Sequence, residues 1–576
     1  MTERPASSAA NASEASSRRR ASDPALAAEL ARALGVSSTL AQLLLLRGID
    51  HPDAARAFLE PTLAGLTLPD SMRDRDLATQ RLADAVRRKE RVVVYGDYDV
   101  DGTTSAAILA DVLEALGAEV HAELANRFEG GYGLSDRALD RCLEARPTVL
   151  VTCDCGSSDH ERIARARKLG VDVVVIDHHL VPPEPLPANA FLNPHRPECA
   201  FPYKGMSSAG LAFSVAAGIR AALGAKLDVR PWLDLVALGT IADVAPLDGD
   251  NRRLVRAGLE RMSNGALRPG LAALFEAAGL RAGQPLGGTD VAFRLAPRIN
   301  APGRLGDPRI VLELLRARDA ARGRALAAEV ERTNTERRAI ERRMTEEAIA
   351  RVVERHGDRP EHGVVVASEG FHRGVVGITA ARLVDRFGVP AVVIALDDGV
   401  GHGSGRTIGG FDLHAAFVRC APCLSKFGGH AAAAGLTVRA DRVEELAEAF
   451  AASTSDARGH GDARPRPEAE LFLGGPFAVP TATELRRLEP VGERNPSPRF
   501  GVRAKVQRAR RVGQGEHLKL SLEVDGRELS AFGPAMGEKA PTTGATIALV
   551  GTLRPDAFRG GEAVELTIEH FDAEPV

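Results

Sequence analysis

The stretch RVVVYGDYDVDG, residues 91–102, decides the fold of this chain. Its first half is short, apolar and β-branched, which predicts a buried strand, and the helix-like residues 103–116 follow it. The pattern returns as TVLVT at 148–152 with a helix near 160–168, and then as DVVVI at 172–176. Continuous Val and Ile strands that alternate with helices predict a parallel sheet covered on both faces, with ligands at the carboxyl ends of its strands.

The length of 576 residues predicts several domains, because one hydrophobic core stops growing well below that size. Residues 307–356 show helical periodicity with almost no Gly or Pro, which predicts a long connecting helix. Near the C-terminal end of the sequence, short runs in which apolar and polar residues alternate are typical of a small oligonucleotide-binding β-barrel. The fold class is therefore α/β and multidomain. The predicted units are a disordered tail (1–23), a parallel-sheet core with an N-terminal helical segment (24–306), the connecting helix (307–356), a second α/β domain (357–452), a linker (453–467) and the barrel (468–576).

Composition narrows the function classes. A formal net charge of -3 argues against a wholly basic coat for nucleic acid, although a basic groove on a mixed surface is compatible with it. Six irregularly spaced cysteines are too few for a disulfide framework, so we expect reduced thiols and a cytoplasmic location. No apolar run in the sequence reaches the roughly 18 residues of a membrane span, so we expect no membrane partner.

Acidic and imidazole side chains stand at the ends of the three predicted strands. If the first strand continues past Gly96, its period of two puts Asp97, Asp99 and Asp101 on one side. The other members of the set are Asp154, the Asp177-His178-His179 run and Asp243, which follows an apolar helix. Each acid taken alone has a second interpretation as a helix N-cap or turn residue. Together, like charges this close repel unless a cation intervenes, and mixed carboxylate and imidazole ligands suit Mn²⁺ or Mg²⁺.

The order and spacing of these segments resemble those of the DHH phosphoesterase superfamily. The resemblance implies hydrolysis with two Mn²⁺ or Mg²⁺ ions, which activate water and stabilise the attacking and leaving oxygens. The metal ligands that it implies are Asp99, Asp101, Asp154, His178 and Asp243, with Asp97 as a further companion. In this pattern Asp154 bridges the ions, and His179 contacts a metal or the scissile phosphate. Tyr95 stands where many relatives have a ligating histidine, which predicts one more weakly held ion.

Three segments join small residues to guanidinium groups, which suit phosphate oxygens. They are residues 126–135, 298–304 and 403–406. The last resembles the DHHA1 domain that accompanies DHH cores in oligonucleotide-cleaving enzymes. By that resemblance Ser404 and Arg406 hold a terminal 5′ phosphate. Arg127 assists them, together with either Arg298 or Arg304. The whole predicted substrate set is Arg127, Tyr132, Ser135, Arg298, Arg304, His372, Ser404, Gly405, Arg406 and His430. Plain glycine turns and structural histidines are the alternative interpretation.

A run of seven basic residues without an acid, between residues 494 and 511, enters the predicted barrel. Such a run usually marks a solvated face. Its place on a barrel of the oligonucleotide-binding type favours a track for nucleic acid instead.

From about residue 41 to residue 571 the chain resembles the RecJ family. The resemblance implies a monomeric exonuclease that degrades single-stranded DNA from 5′ to 3′ into mononucleotides, in recombination and repair. It further implies a single-strand-binding protein and a RecQ-type helicase as partners. Two alternatives are a DHH phosphodiesterase for short oligoribonucleotides or cyclic dinucleotides, and a non-catalytic replication scaffold that binds DNA. The barrel argues against the first, and the intact acids argue against the second.

Overall fold

The computed structural model describes residues 23–455, 467–556 and 558–573. Nearly all of the predicted disordered tail and most of the predicted linker lie outside these residues. The described part of the chain contains a parallel sheet, a mixed sheet and a β-barrel, in that order along the sequence. This arrangement confirms the predicted α/β multidomain class, whereas the boundaries between the units stay predictions.

The parallel sheet is preceded by three short helices. These are α1 (Pro24–Leu34), α2 (Ser38–Leu46) and α3 (Pro52–Leu59). The elements of the sheet then follow as α4 (Arg75–Arg88), β1 (Arg91–Gly96), α5 (Val100–Ala115), β2 (Glu119–Leu124), α6 (Asp136–Glu144), β3 (Val149–Cys153), α7 (His160–Lys168), β4 (Asp172–Ile176) and β5 (Ala190–Leu192). The strand order is β2-β1-β3-β4-β5, and every neighbouring pair is parallel. Strands β1, β3 and β4 are buried almost throughout because helices cover both faces, which accounts for their continuous Val and Ile runs.

A helical layer completes the first core. Its members are α8 (Ser208–Ala222), α9 (Leu233–Ala242), α10 (Gly249–Ser263), α11 (Pro269–Ala277) and α12 (Arg309–Arg316). The long helix α13 (Ala320–His356) comes next and joins two cores, because Val330 packs in the first and Met344 in the second. The predicted single helix over 307–356 is therefore two helices. The chain breaks between them because the Asp319 side chain accepts the N–H of Arg322 and so caps a new helix.

The second α/β unit has a mixed five-stranded sheet. Its elements are β6 (Val364–Ser368), α14 (Val376–Phe387), β7 (Ala391–Asp397), β8 (Val400–Arg406), α15 (Leu413–Arg419), β9 (Lys426–Gly429), β10 (Ala433–Arg439) and α16 (Val443–Ser453). The strand order is β6-β7-β8-β10-β9, with only the β6–β7 pair parallel. The β7–β8 hairpin carries the predicted phosphate-binding segment at its far end.

The C-terminal unit is a closed barrel. Its elements are β11 (Leu471–Leu473), α17 (Ala482–Arg487), β12 (Arg499–Val512), β13 (His517–Val524), β14 (Arg527–Gly533), β15 (Thr546–Pro555) and β16 (Val564–Ala573). Strand β12 pairs with both β13 and β15, which closes the sheet on itself. Buried apolar and exposed basic residues alternate along the first half of β12. The structure thus confirms the predicted β-barrel.

The first three helices share their apolar core with the barrel. Leu44 and Phe500 are fully enclosed in the same cluster of buried side chains. Arg252 on α10 connects this cluster to the first core. Its side chain is 3% exposed and donates hydrogen bonds to the main-chain oxygens of Phe58 and Pro490. Its guanidinium also lies 3.8 Å from the ring centroid of Phe58. The helices, the barrel and the parallel-sheet unit are therefore coupled by direct contacts.

We expect Leu44→Ala to lower the free energy of unfolding by about 3 kcal/mol, because a cavity opens where the side chain is completely enclosed. Urea denaturation measures the loss. Leu26→Ala, at a leucine that is 41% exposed, serves as the control and should change the free energy by less than about 0.5 kcal/mol. Equal effects of the two substitutions would show that α2 does not contribute to the barrel core.

Within the described residues, no single helix combines the length and apolar character needed to cross a membrane. The pair α1 and α2, bent by 111°, meets that test by length and composition only.

Candidate active site

The parallel register brings three acids to one edge of the sheet. Gly96, Cys153 and Ile176 occupy one row across β1, β3 and β4. The residues that come next are Asp97, Asp154 and Asp177, and all three are buried. The ladder continues into them, since Asp97 N donates to Cys153 O at 3.2 Å and Asp154 N to Ile176 O at 2.9 Å. The sequence prediction of acids gathered at the carboxyl ends of the strands agrees with this geometry.

Asp99 and Asp101 lie at the start of α5, not on a continued strand. β1 ends at Gly96, and the Asp99 side chain caps the helix by accepting the N–H of Gly102 at 3.0 Å. Asp101 sits in the first helical turn. The prediction that a period of two would place Asp97, Asp99 and Asp101 on one side is therefore wrong, because the helix rotates Asp101 away from the other two. Asp99 is at once an N-cap and a candidate ligand.

Three overlapping groups of potential ligand atoms result. Within each group the atoms lie within 4.8 Å of one another. The first group is Asp97, Asp99 and Asp154, the second is Asp101, His178 and Asp243, and the third is Asp154, His178 and His179. His178 Nε2 lies 3.2 Å from Asp154 Oδ1 and 3.6 Å from Asp243 Oδ2. Asp154 belongs to the first and third groups, and His178 belongs to the second and third, so the groups adjoin at these two residues.

The N-terminus of α8 holds two of these carboxylates in place. Ser208 N and Ala209 N donate to the oxygens of Asp101 at 2.7 and 3.0 Å, and Ser208 Oγ donates to Asp154 Oδ1 at 2.9 Å. The sequence interpretation missed Ser208. The Ser207-Ser208 pair before an apolar helix is an N-cap signal, and helix N-termini bind anionic groups, so the pattern was available.

Asp177 positions the histidines and does not point into the ligand groups. Its carboxylate accepts the main-chain N–H of His178, His179 and Ser157, and it lies 2.8 Å from His179 Nδ1. Burial alone would raise the pKa of Asp177, but the hydrogen bonds from His179 and Ser157 and the nearby charge of His179 together outweigh burial and hold this pKa far below its usual range. Asp177 is therefore an anion at neutral pH, and sequence reasoning did not assign it a role.

The two histidines differ in charge. Burial alone would lower the pKa of His179, but its hydrogen bond to Asp177 raises that pKa to about 9. Burial, reinforced by the charge of His179, lowers the pKa of His178 to about 4. At neutral pH His178 is a neutral imidazole, which can ligate a metal, whereas His179 is a cation. The Tyr132 hydroxyl lies 2.9 Å from His179 Nδ1 and donates to Asp154 O at 3.3 Å.

The ligand groups fit divalent cations. Within the described residues, three buried atoms here have no hydrogen-bond partner, namely Asp97 Oδ1, Asp154 Oδ2 and His178 Nε2. Burial and neighbouring carboxylates raise the pKa values of Asp97, Asp101 and Asp154. Burial and Asp99 raise the pKa of Asp243 to about 7. Carboxylates therefore outnumber cationic side chains in the site, and some of their lone pairs have no partner among the described residues. This oxygen-rich set with imidazole suits Mn²⁺ or Mg²⁺.

A second candidate site is a cavity of about 480 Å³ between the first core and the second sheet. Its cationic side chains are Arg127, Arg304, Arg373, Arg406 and Lys426, with His402 and Ser404 beside them. Arg406 Nη1 donates to Ser404 Oγ at 2.9 Å. Across residues 23–455, 467–556 and 558–573, no carboxylate forms an ion pair with Arg127, Arg304 or Arg406. The positive charge of the cavity is therefore available to bind an anion.

The structure distinguishes the two arginines that the sequence left as alternatives. Arg304 lines the cavity, and burial together with Arg127 lowers its pKa to about 10. Arg298 is instead paired with Glu331 on α13, with Nε 2.5 Å from Oε2, and it does not line the cavity. Of the two, only Arg304 lines the cavity without an ion pair to a carboxylate of the described residues.

Six predicted substrate residues lie outside the cavity lining: Tyr132 and Arg298, whose contacts are given above, and Ser135, His372, Gly405 and His430. Ser135 caps α6 by accepting the N–H of Ala138, and a Cβ at Gly405 would face Phe417. His372 accepts the N–H of Gly374, and His430 is exposed in a turn paired with Ala433. Arg373, His402 and Lys426 line the cavity instead. Sequence reasoning missed them, although glycines stand within two residues of each of them, at Gly374, at Gly401 and Gly403, and at Gly428.

Tyr98 connects the two sites. It stands between Asp97 and Asp99 in the chain, and its ring lies 4.4 Å from the guanidinium carbon of Arg127. Tyr98 is therefore adjacent in the chain to two candidate metal ligands and in contact with Arg127 of the cationic cavity.

Comparison with known proteins accords with this geometry. The profile of the DHH family, N-terminal domain, matches residues 91–240, that of the DHHA1 domain matches 361–456, and that of the RecJ OB domain matches 477–570. A protein of Dickeya dadantii named single-stranded-DNA-specific exonuclease RecJ is 38% identical over 522 residues, which are 86% of this chain and 89% of that protein. The chain belongs to the RecJ family. The Bacillus subtilis RecJ is 34% identical, over 94% of this chain and 68% of its own length.

Solved structures of RecJ agree with the fold. The crystal structure of RecJ in complex with Mn²⁺ from Thermus thermophilus has a TM-score of 0.79 and 31% identity, covering 96% of this chain and 78% of that one. The structure of RecJ in complex with Mg²⁺ from the same source has a TM-score of 0.73 and 29% identity, covering 96% and 77%. These two ions are the ones that the donor set of the present site favours.

Proposed function

We propose that the chain is a single-stranded-DNA-specific exonuclease that hydrolyses phosphodiester bonds with two Mn²⁺ or Mg²⁺ ions. The observation that carries the proposal is the set of ligand groups that adjoin at Asp154 and His178. Their position beside an anion-binding cavity supports a substrate with several phosphates. The RecJ relatives are named for this activity, and the chain has the three family regions in the same order.

The cationic cavity supports 5′-to-3′ polarity. Guanidinium forks bind phosphate oxygens with two hydrogen bonds each, and no carboxylate of the described residues forms an ion pair with Arg304 or Arg406. A terminal 5′ phosphate held there would leave the first phosphodiester near Asp154, because Tyr98 links the two sites. Cleavage at that bond releases mononucleotides.

The side chains of the candidate active site have different roles in the proposed reaction. Bound ions would supply an activated water and neutralise charge on the phosphate. Asp97, Asp99, Asp101, Asp154, His178 and Asp243 would hold them. Asp177 keeps His179 protonated, so its imidazolium can stabilise negative charge on the phosphate. Tyr132 orients that imidazolium through its hydroxyl.

The barrel supports a nucleic-acid track. Arg503, Lys505, Arg508, Arg510 and Arg511 are all exposed on β12. Arg499 is engaged with Glu569 at 2.8 Å, so it is less available to a strand. We expect the double substitution Arg508→Ala/Arg510→Ala to weaken single-stranded DNA binding and to reduce the slope of log affinity against log salt by about 1.4.

Fluorescence anisotropy titrations from low to high salt measure this slope. Arg499→Ala is the control and should change the slope far less. An unchanged slope in the double variant would show that these β12 residues do not contact the DNA.

Digestion of labelled substrates tests the proposed function. Single strands labelled at the 5′ end, duplexes, short oligoribonucleotides and cyclic dinucleotides are each incubated with Mn²⁺ and with a chelator. Release of labelled mononucleotide from long single strands, abolished by the chelator, is expected. Cleavage of short RNA or cyclic dinucleotides alone would favour the phosphodiesterase alternative, and binding without cleavage would favour the scaffold.

A cytoplasmic location, a monomeric state, and association with a single-strand-binding protein or a RecQ-type helicase rest on the family resemblance. They belong to the proposal as predictions.

A further inference from the structure

Helix α9 ends at a strained residue. Val244 has a φ of 58°, in the left-handed region that favours glycine. Its N–H donates to Ile241 O, and the next N–H, of Ala245, donates to Thr240 O, both at 3.2 Å. This is the hydrogen-bond pattern in which a helix ends through a left-handed residue, normally Gly. A β-branched side chain raises the free energy of that conformation, so the end of this helix is less stable with Val than with Gly.

Packing does not offset the strain. The Val244 side chain is 64% exposed. It belongs to none of the five apolar clusters that the described residues form. The side chain therefore contributes little to the stability of the fold in return for its strained backbone.

Val244 directly follows a residue of the candidate active site. That residue is Asp243, whose Oδ2 is 3.6 Å from His178 Nε2. Leu180, which follows His179, is 70% exposed, and Tyr132, whose hydroxyl contacts His179, is 48% exposed. Neither of these two side chains belongs to an apolar cluster either. We call Tyr132, Leu180 and Val244 the apolar rim.

We propose that the apolar rim packs against the nucleobase of the nucleotide being released, with Val244 as a positioning residue. The carboxylates of the acidic centre suit metal ions, and the guanidinium groups of the cationic cavity suit phosphates, so the face of the base needs other contacts. A base presents an apolar face, and apolar side chains bind such faces without regard to sequence. The single χ1 of Val and its fixed backbone make the contact rigid. This inference rests on the proposed nuclease function.

Val244→Gly tests the inference in combination with two substrates. One is a 5′-phosphorylated single strand with a normal terminal nucleotide, and the other has an abasic terminal nucleotide. For the wild type we expect about a tenfold lower kcat/KM on the abasic strand. For Val244→Gly we expect about a tenfold loss on the normal strand and little further loss on the abasic one. The Tm should stay the same or rise, and the affinity for Mn²⁺ should not change.

Lys89→Gly is the matched control. Lys89 also ends a helix with a left-handed φ, of 53°, but it lies after α4 and touches neither site. It should leave both kcat/KM values unchanged. Equal losses for Val244→Gly on the two strands, no loss on either, or a lower Tm would overturn the inference. If the wild type cleaves neither strand, the proposed function itself fails.

Discussion

Asp154→Asn lowers the rate of single-stranded DNA hydrolysis by about three orders of magnitude and leaves DNA affinity within a few fold. The loss is large because Asp154 belongs to two of the three ligand groups and lies 3.2 Å from His178 Nε2, which belongs to the remaining one. Asn is the sharper choice of substitution than Ala, since Asp154 has a φ of 63° and Asn tolerates that conformation. The fold should therefore survive while one ligand charge is lost.

Single-turnover digestion and a separate binding titration in the presence of a chelator measure the two quantities. Asp172→Asn is the control: Asp172 lies at the opposite end of the same sheet, where it pairs with Arg81 at 2.6 Å. It should retain activity. An Asp154→Asn variant that keeps more than a tenth of the wild-type rate would contradict the ligand assignment.

Arg406→Ala lowers kcat/KM for 5′-phosphorylated strands by about 10- to 100-fold and leaves strands with a 5′ hydroxyl nearly unaffected. The side chain lines the cationic cavity beside Ser404, and no carboxylate in the described part of the chain neutralises it. Removal of the guanidinium therefore removes charge-assisted hydrogen bonds to the terminal phosphate, which a hydroxyl end never makes.

Competition between phosphorylated and hydroxyl-ended strands measures the preference. Arg298→Ala serves as the control, because Arg298 is engaged with Glu331 away from the cavity. It should keep the preference for the phosphorylated end. If Arg298→Ala abolished the preference and Arg406→Ala did not, the cavity would not be the phosphate site.

The sequence predicted the gathering of acids at one sheet edge because parallel pairing leaves little freedom. Once β1, β3 and β4 are recognised as neighbours, the residues after them must lie side by side. It failed for Asp101, since a strand period was extended into a segment where an N-cap aspartate starts a helix. Ser208 contacts Asp154 from the start of a helix more than fifty residues later in the chain. No local sequence pattern indicates which carboxylate that helix end contacts.

Long-range packing was likewise beyond sequence reasoning. The apolar faces of α1 to α3 are evident from their periodicity, but nothing local indicates that they pack on a barrel more than four hundred residues later. Arg298 and Arg304 have similar sequence surroundings, and only the position of Glu331 on α13 separates their roles. In each case the role of the residues depends on the residues that they contact. Contacts between residues distant in sequence are determined by the whole fold.

Anomalous diffraction from crystals soaked in Mn²⁺ tests the central claim most directly. We expect two peaks, one among Asp97, Asp99 and Asp154 and the other among Asp101, His178 and Asp243, with Asp154 coordinating both ions. Peaks elsewhere, or a single ion that Asp154 does not touch, would contradict the two-metal centre.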